Sequence, residues 1–158
     1  MFVREWLELL SINDFVFEHT WILPAMEVMH YTGHSLTVGA IIYLDLRLLG
    51  INKKCPVKKL STHIIPLSVL GFMIALLSGT GLLLSDLDRF WANPAFEIKL
   101  ILIMIALANI AVFHFSIFRT VDSWSQNIGP PLSARLGGLF SIVFWLAAIV
   151  AGRMIAYF

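Results

Sequence analysis

Four long apolar stretches, separated by short polar segments, dominate the pattern of this chain. They cover about 22–49, 62–85, 96–119 and 134–157. Each exceeds the ~20 residues that an α-helix needs to cross the hydrocarbon core of a bilayer. The pattern therefore predicts an all-α fold, an integral membrane bundle of four transmembrane helices that occupies residues 21–158.

The first twenty residues have a different pattern, in which acidic and apolar side chains are mixed. The acidic residues are Glu5, Glu8, Asp14 and Glu18. The apolar residues Trp6, Leu7, Leu10 and Phe17 recur at roughly helical spacing. Because this segment has no continuous apolar core, it does not resemble a cleavable signal peptide. It predicts an N-terminal amphipathic helix over 1–20 that lies in the membrane interface; a partly ordered polar leader is the alternative.

Composition agrees with a membrane location. The chain has 158 residues, of which 59% are hydrophobic and 13% are charged, so it has too few charges to cover a soluble domain of this size. Cys55 is the single cysteine, which excludes an intrachain disulfide and a cysteine metal cluster. Membrane lipid is thus an expected partner, and nucleic acid is not.

The distribution of charge predicts the orientation. Basic residues are concentrated in the segments after the first and third apolar stretches; they are Arg47, Lys53, Lys54, Lys58 and Lys59, and then Arg119 and Arg135. Cytoplasmic loops are enriched in Lys and Arg, so both segments are predicted to lie inside the cell. Both chain termini are then expected on the periplasmic side of a bacterial inner membrane.

Ionisable side chains inside the apolar stretches are the main functional signal. Glu27, His30 and His34 follow one another at spacings of four or fewer, so they share a helix face that Asp45 continues three turns later. An ionisable group in hydrocarbon is costly unless it has a partner, which makes each one a functional-site hypothesis. We consider Asp45 and Arg47 a polar cluster at the inner rim that sets helix register.

Depth along each helix divides these residues into two layers. At a rise of ~1.5 Å per residue, the outer layer consists of Glu27, His30, His34 and Lys99. The inner layer consists of Asp45, Arg47, His63 and His114. Two axial ligands of one haem must lie at one depth, so His63 with His114 is compatible and His30 with His114 is not. A haem in the outer layer needs Lys99, a methionine such as Met73, or no second protein ligand.

The segment HYTGHSLTVGAIIYLDLRLLG at 30–50 resembles an uncharacterised family of small four-helix bacterial membrane proteins. In these the first span also carries an early histidine and ends in Asp-Leu-Arg-Leu-Leu-Gly. The segment GTGLLLSDLDRFWANPAFEIKL at 79–100, Asn109 and His114 also suit that family, and the resemblance covers most of residues 20–120.

A more distant resemblance is to copper-resistance D (CopD) membrane proteins and to protoporphyrinogen oxidases of the HemJ type. The latter are small helical membrane proteins with haem b. In that group an early-span histidine and a lysine that opens a later span are functional, which implies His30 and Lys99 here. The HemJ group has Leu-Pro-Arg at the end of its first span, whereas this chain has Leu-Asp-Leu-Arg at 44–47.

These patterns predict a membrane protein that binds haem b and transfers electrons, alone, as a homo-oligomer, or as a subunit of a larger redox complex. Neutral imidazole is the usual axial ligand, so His30, His34 or His114 would bind the iron. Glu27 would carry a coupled proton, and quinone is the expected membrane partner. Catalytic residues, and whether the protein is an enzyme, are not assigned.

Several alternatives remain open at this point. Met26, Met29, His30 and His34 together suit Cu(I), which makes copper handling the first alternative function; a structural subunit without a cofactor is the second. His63 beside Lys59 is equally well explained as an interfacial histidine. Lys99, in the first turn of its helix, has the alternative of extending outward to Glu97 or a lipid phosphate.

Overall fold

A computed structural model describes residues 12, 16, 18–52, 55–123 and 129–158 of the chain, with the side chains of Ile117 and Ser123 left aside. Within these ranges the protein is helical and contains no strand. The predicted amphipathic helix over 1–20 lies largely outside them. Of that segment, Val16 is buried and the Ile12 amide donates to the Leu84 carbonyl over 3.3 Å.

The described residues form four long helices and one short helix. They are α1 (Ile22–Leu48), α2 (Val57–Ser85), α3 (Leu87–Trp91), α4 (Pro94–Val112) and α5 (Leu132–Met154). A π-helical turn over Phe113–Ile117 and a 3₁₀ segment over Phe118–Ser123 follow α4. The all-α prediction is therefore confirmed for the described residues.

Two helix boundaries differ from the hydropathy pattern. α2 begins at Val57, five residues before the predicted start at 62, because its first turn is polar and hydropathy does not register it. The third apolar stretch stays apolar to 118, but its α-helix ends at Val112 and the hydrogen bonding changes to the π type. A π-helical turn is a local change of backbone pairing, which apolar composition does not record.

Three helices are long and apolar enough to cross a membrane: Val57–Ser85, Pro94–Ser116 and Leu132–Met154. α1 is as long as these, with 27 residues, but it carries the histidines and the charged residues of the first stretch. The described structure is thus all-helical, with three helices that could span a membrane by their length and composition.

Glycines bring α1 and α2 into backbone contact. A Cβ atom placed on Gly33 would lie 2.5 Å from the Ala75 nitrogen and 2.7 Å from the Gly71 carbonyl oxygen. A Cβ on Gly71 would in turn lie 2.7 Å from the Thr37 nitrogen. Small residues of this kind are how membrane helices approach closely, since lipid supplies no hydrophobic force between them.

α5 links α1 to α4, because it packs against both of these helices. The buried indole of Trp145 lies at the centre of this contact with Val38 of α1 and Ala106 of α4. α2 and α4 are not packed along one another, so a groove remains between them with α1 and α5 as its floor.

Asn93 ties the start of α4 to the end of α5. Its buried amide donates to the Ile155 carbonyl over 2.9 Å, and its side-chain oxygen accepts from the Ala95 amide over 3.0 Å as the N-cap of α4. We expect Asn93→Ala to lower stability by about 1–2 kcal/mol through the lost cap and the unpaired carbonyl. Thermal unfolding in detergent measures this effect. The thermal midpoint of Asn93→Asp, which keeps the cap oxygen, should lie between those of the unmodified protein and Asn93→Ala. An unchanged midpoint for Asn93→Ala would refute the contribution of Asn93 to holding α4 against α5.

Candidate functional site

A hydrogen bond to the neighbouring helix α2 fixes the tautomer of His30. Its Nδ1 lies 2.8 Å from the Ala75 carbonyl oxygen of α2, and its ring is partly buried. A carbonyl oxygen only accepts, so Nδ1 carries the proton and donates it. Nε2 is then left with its lone pair, which is the atom through which an imidazole binds a metal or accepts a hydrogen bond.

Lys99 reaches this lone pair from α4. Its Nζ lies 3.3 Å from His30 Nε2, and the lysine is partly buried. The tautomer of His30 makes the lysine nitrogen the donor. Lys99 therefore points into the bundle in the described structure, whereas Glu97, its alternative partner, is exposed.

His34 completes a group of three nitrogen-bearing side chains. Its ring meets that of His30 edge-on, with ring centroids 4.6 Å apart and planes at 86°. The buried Nδ1 of His34 has no hydrogen-bond partner among the described residues. Two histidines from α1 and one lysine from α4 thus gather in the outer half of the bundle, with one nitrogen available for a further bond.

Glycines leave room for these side chains. A Cβ on Gly79 of α2 would lie 2.7 Å from Cε1 of His30, and one on Gly152 of α5 would lie 3.4 Å from Nζ of Lys99. All four long helices therefore meet around His30 and Lys99. Neither glycine stands out in the sequence as part of a site, because only the rotation of each helix shows which glycines face His30 and Lys99.

Glu27 does not join this group. It lies one turn before His30 on α1, and its side chain is exposed. Glu27, His30 and His34, which the sequence predicted to share one helix face, thus do not all contribute to one site. The two histidines lie against α2 and α4, and the carboxylate lies at the surface.

The inner-layer residues are more scattered. Asp45 is buried, and Arg47 is buried with its Nε donating to the Cys55 carbonyl over 2.5 Å. His63 is exposed, with Nδ1 3.1 Å from the Lys59 carbonyl oxygen of its own helix, as an interfacial histidine would be. His114 lies in the π-helical turn, where its exposed ring stacks on Phe118 at 5.5 Å.

The depth difference between His30 and His114 persists in the fold. His30 contacts Lys99, and His114 follows Lys99 by fifteen residues, which corresponds to roughly 22 Å along a helix. His30 and His114 therefore lie near opposite ends of the bundle and do not form one ligand pair.

The two methionines of the copper alternative lie in different environments. Met26 packs against α2, with its Sδ 3.0 Å from a Cβ placed on Gly81, and Met29 is exposed. Within the described ranges there is no group of three or more His, Cys, Asp or Glu side chains that would hold a metal ion. A haem site does not require such a group, because the porphyrin supplies four of the iron ligands and the protein supplies one or two.

The donors at His30 suit haem iron. Axial histidines usually donate their second ring N–H to a carbonyl or carboxylate, as His30 does to Ala75. Nε2 of His30 and Nζ of Lys99 are the nitrogens that would hold a haem iron, and they lie 3.3 Å apart in this structure.

Comparison with known proteins places the chain in no described group: no family model, no curated protein and no solved structure matches it. The class that the described fold and site define is an all-helical protein with three helices able to span a membrane and with a partly buried histidine and lysine in contact between helices. Its function has to be inferred from these residues and their geometry.

Proposed function

We propose that this chain is a four-span protein of the bacterial inner membrane that binds haem b through His30 and takes part in electron transfer. The observation that carries the proposal is the arrangement of His30, whose Nδ1 bonds to the Ala75 carbonyl while Nε2 faces a second nitrogen donor, Lys99. An imidazole whose tautomer is set by a backbone carbonyl is prepared for axial ligation.

α1 would be the fourth span. Its 27 residues correspond to about 40 Å, which exceeds the hydrocarbon thickness of a bilayer. It packs closely along α2, an apolar span, through Gly33 and Gly71. Of its polar groups, His30, His34, Asp45 and Arg47 are buried or partly buried, which lowers the cost of placing them at membrane depth, whereas Glu27 near the start of the helix is exposed.

The basic end of the bundle would face the cytoplasm. The connection between α1 and α2 and the one between α4 and α5 meet at this end, where Lys58 of α2 pairs with Asp122 at 2.7 Å. The enrichment of Lys and Arg there supports this orientation. Both termini, and the site around His30, would then lie towards the periplasm.

The residues of the site have separable roles in this proposal. Haem, when bound, supplies the one-electron chemistry. Ala75 holds the His30 ring in place and holds the proton on Nδ1. Lys99 presents a nitrogen opposite Nε2, and Gly79 and Gly152 keep other side chains away from both.

The resemblance to the HemJ group supports the choice of these two residues, since His30 and Lys99 are the positions that it implies. A quinone or another subunit would be the redox partner. Copper handling and a purely structural role remain hypotheses, and no contact among the described residues favours either over haem.

An absorption spectrum of the purified protein tests the proposal directly. Protein expressed in haem-replete cells and purified in detergent should show a Soret band, with haem b identified by its pyridine haemochromogen. The expected content is close to one haem per chain, because one axial histidine site is present in the outer half of the bundle. A colourless preparation that is folded and binds no added haemin would reject a haem function.

A further inference from the structure

The groove between α2 and α4 is separate from the His30 site and lies in the inner half of the bundle. Its volume is about 190 Å³, and all four long helices contribute to its lining. Val69 of α2 and His114 after α4 line it and are exposed, so it opens on the surface that would face lipid. A membrane-soluble molecule therefore has direct lateral access to it.

The floor of this groove contains buried polar side chains. Asp45, Ser141 and Trp145 all line it and are 6%, 3% and 1% exposed. Trp145 Nε1 has no hydrogen-bond partner within the described part of the chain, and Asp45 Oδ2 and Ser141 Oγ are neighbours that form no well-aligned hydrogen bond. Buried polar groups are nearly always paired, and leaving one unpaired costs about 1–3 kcal/mol. The indole N–H without an acceptor, together with the neighbouring carboxylate and hydroxyl, points to a ligand that hydrogen-bonds at this floor.

We infer that this groove binds the ring of a membrane-soluble quinone, with its isoprenoid tail in the lipid. The Trp145 N–H and the Ser141 hydroxyl are donors for ring oxygens, and the Asp45 carboxylate is an acceptor for the hydroxyl of a quinol. The remaining lining is largely apolar and includes Ile41 and Phe72, which suits a flat ring. The choice of a quinone among ring ligands rests on the proposed redox function.

Size limits the occupant to a small ring. A cavity of about 150 Å³ is known to hold benzene in a protein core. The groove, at 190 Å³, is somewhat larger and suits one ring with its substituents or a small fused ring. A porphyrin, with four linked pyrrole rings, does not fit it, so the groove is a second site and not an extension of the haem site.

The groove and the His30 site share one face of α1. His34, Thr37, Ile41 and Asp45 recur at helical spacing along that face, and the last three line the groove. The helical rise places Asp45 roughly 16 Å from His34 along the axis. A ring in the groove therefore lies on the same face of α1 as His30 and His34 but in the other half of the bundle, without contact between the two sites.

Equilibrium binding of menadione and of a one-isoprene ubiquinone to the purified full chain in detergent tests this inference. We expect saturable binding that weakens about tenfold in Trp145→Phe, which keeps the ring shape but removes the N–H donor. Ser141→Ala should weaken binding similarly, so the inference can still be tested if Trp145→Phe does not fold. Trp91→Phe, at an exposed tryptophan of α3, is the matched control and should bind like the unmodified protein.

Two results would overturn the inference. One is that the unmodified protein binds neither quinone. The other is that Trp145→Phe and Ser141→Ala both bind as tightly as the unmodified protein, which would mean that the groove holds only water.

The Soret band separates this inference from the haem proposal. It should be unchanged in Trp145→Phe, because Trp145 contacts none of the nitrogen donors. A colourless protein that still binds menadione through Trp145 would reject haem and retain the groove. A haem protein without quinone binding would reject the groove alone.

Discussion

Replacing His30 by alanine is expected to remove the Soret band of the purified protein. His30 is the residue whose Nε2 lone pair is oriented by the Ala75 carbonyl, and no other described histidine has both a fixed tautomer and a facing nitrogen donor. The haem content should fall at least tenfold, as expected when the principal ligand is lost. Absorption spectra and the pyridine haemochromogen measure this change.

Three further variants make the result specific. His63→Ala, at an exposed histidine bonded within its own helix, should retain full haem content. Lys99→Met should retain haem but change the position of the Soret band, because the nitrogen facing His30 is replaced by a thioether. His34→Ala should also retain haem, since its ring meets His30 only edge-on.

Rescue by free imidazole distinguishes ligation from packing. Alanine at position 30 leaves a space beside Gly79 in which imidazole can replace the lost ring. Addition of imidazole to His30→Ala together with haemin should restore the band. A His30→Ala protein with a normal Soret band before any addition would contradict the assignment of His30.

A valine at Gly33 is expected to prevent α1 from docking on α2. The Cβ of any side chain there meets the Ala75 nitrogen at 2.5 Å, and this neighbour is backbone, which cannot move aside as a side chain does. Overpacking usually costs about 1–3 kcal/mol, and backbone clashes fall at the upper end or beyond it. We therefore expect a loss of about 3 kcal/mol or more, measured as a lower thermal midpoint in detergent and a lower yield of monodisperse protein.

Gly39→Val is the matched control for this prediction. Gly39 lies in the same helix, is exposed, and has no atom within 4 Å of a placed Cβ. The substitution changes helix propensity in the same way, so the difference between the two variants isolates the interhelical contact. Equal thermal midpoints for Gly33→Val and Gly39→Val would mean that α1 and α2 are not packed as described.

The positions of the helices along the chain were largely predictable, because hydropathy and helical rise depend only on local sequence. A run of apolar residues predicts a helix of membrane length, and helical rise predicts depth along it. Depth assigned His30 and Lys99 to one layer, and the structure has them in contact at 3.3 Å. The ends of helices were less predictable, as at Val57 and Val112, where polar turns and a π-helical turn depart from hydropathy.

The sequence predicted less well which side chains of each helix point into the bundle. Glu27 was expected beside His30 on a buried face, yet it is exposed, because the rotation of α1 is set by its glycine contacts with α2 and not by its own polar stripe. The groove was not predicted either. Asp45 of α1 is far in the sequence from Ser141 and Trp145 of α5, and they come together because α1 packs against α5; the groove beside them stays open because α2 and α4 do not pack against one another.

The sequence by itself determined the class of this protein, its helices and the depth of each polar side chain, since these follow from composition and from the rise of a helix. Only the tertiary structure decided which side chains meet. Rotation and separation of helices depend on contacts between distant residues, such as Gly33 with Ala75 and Gly152 with Lys99. With these contacts, Nζ of Lys99 lies 3.3 Å from Nε2 of His30, and the groove stays open beside Trp145.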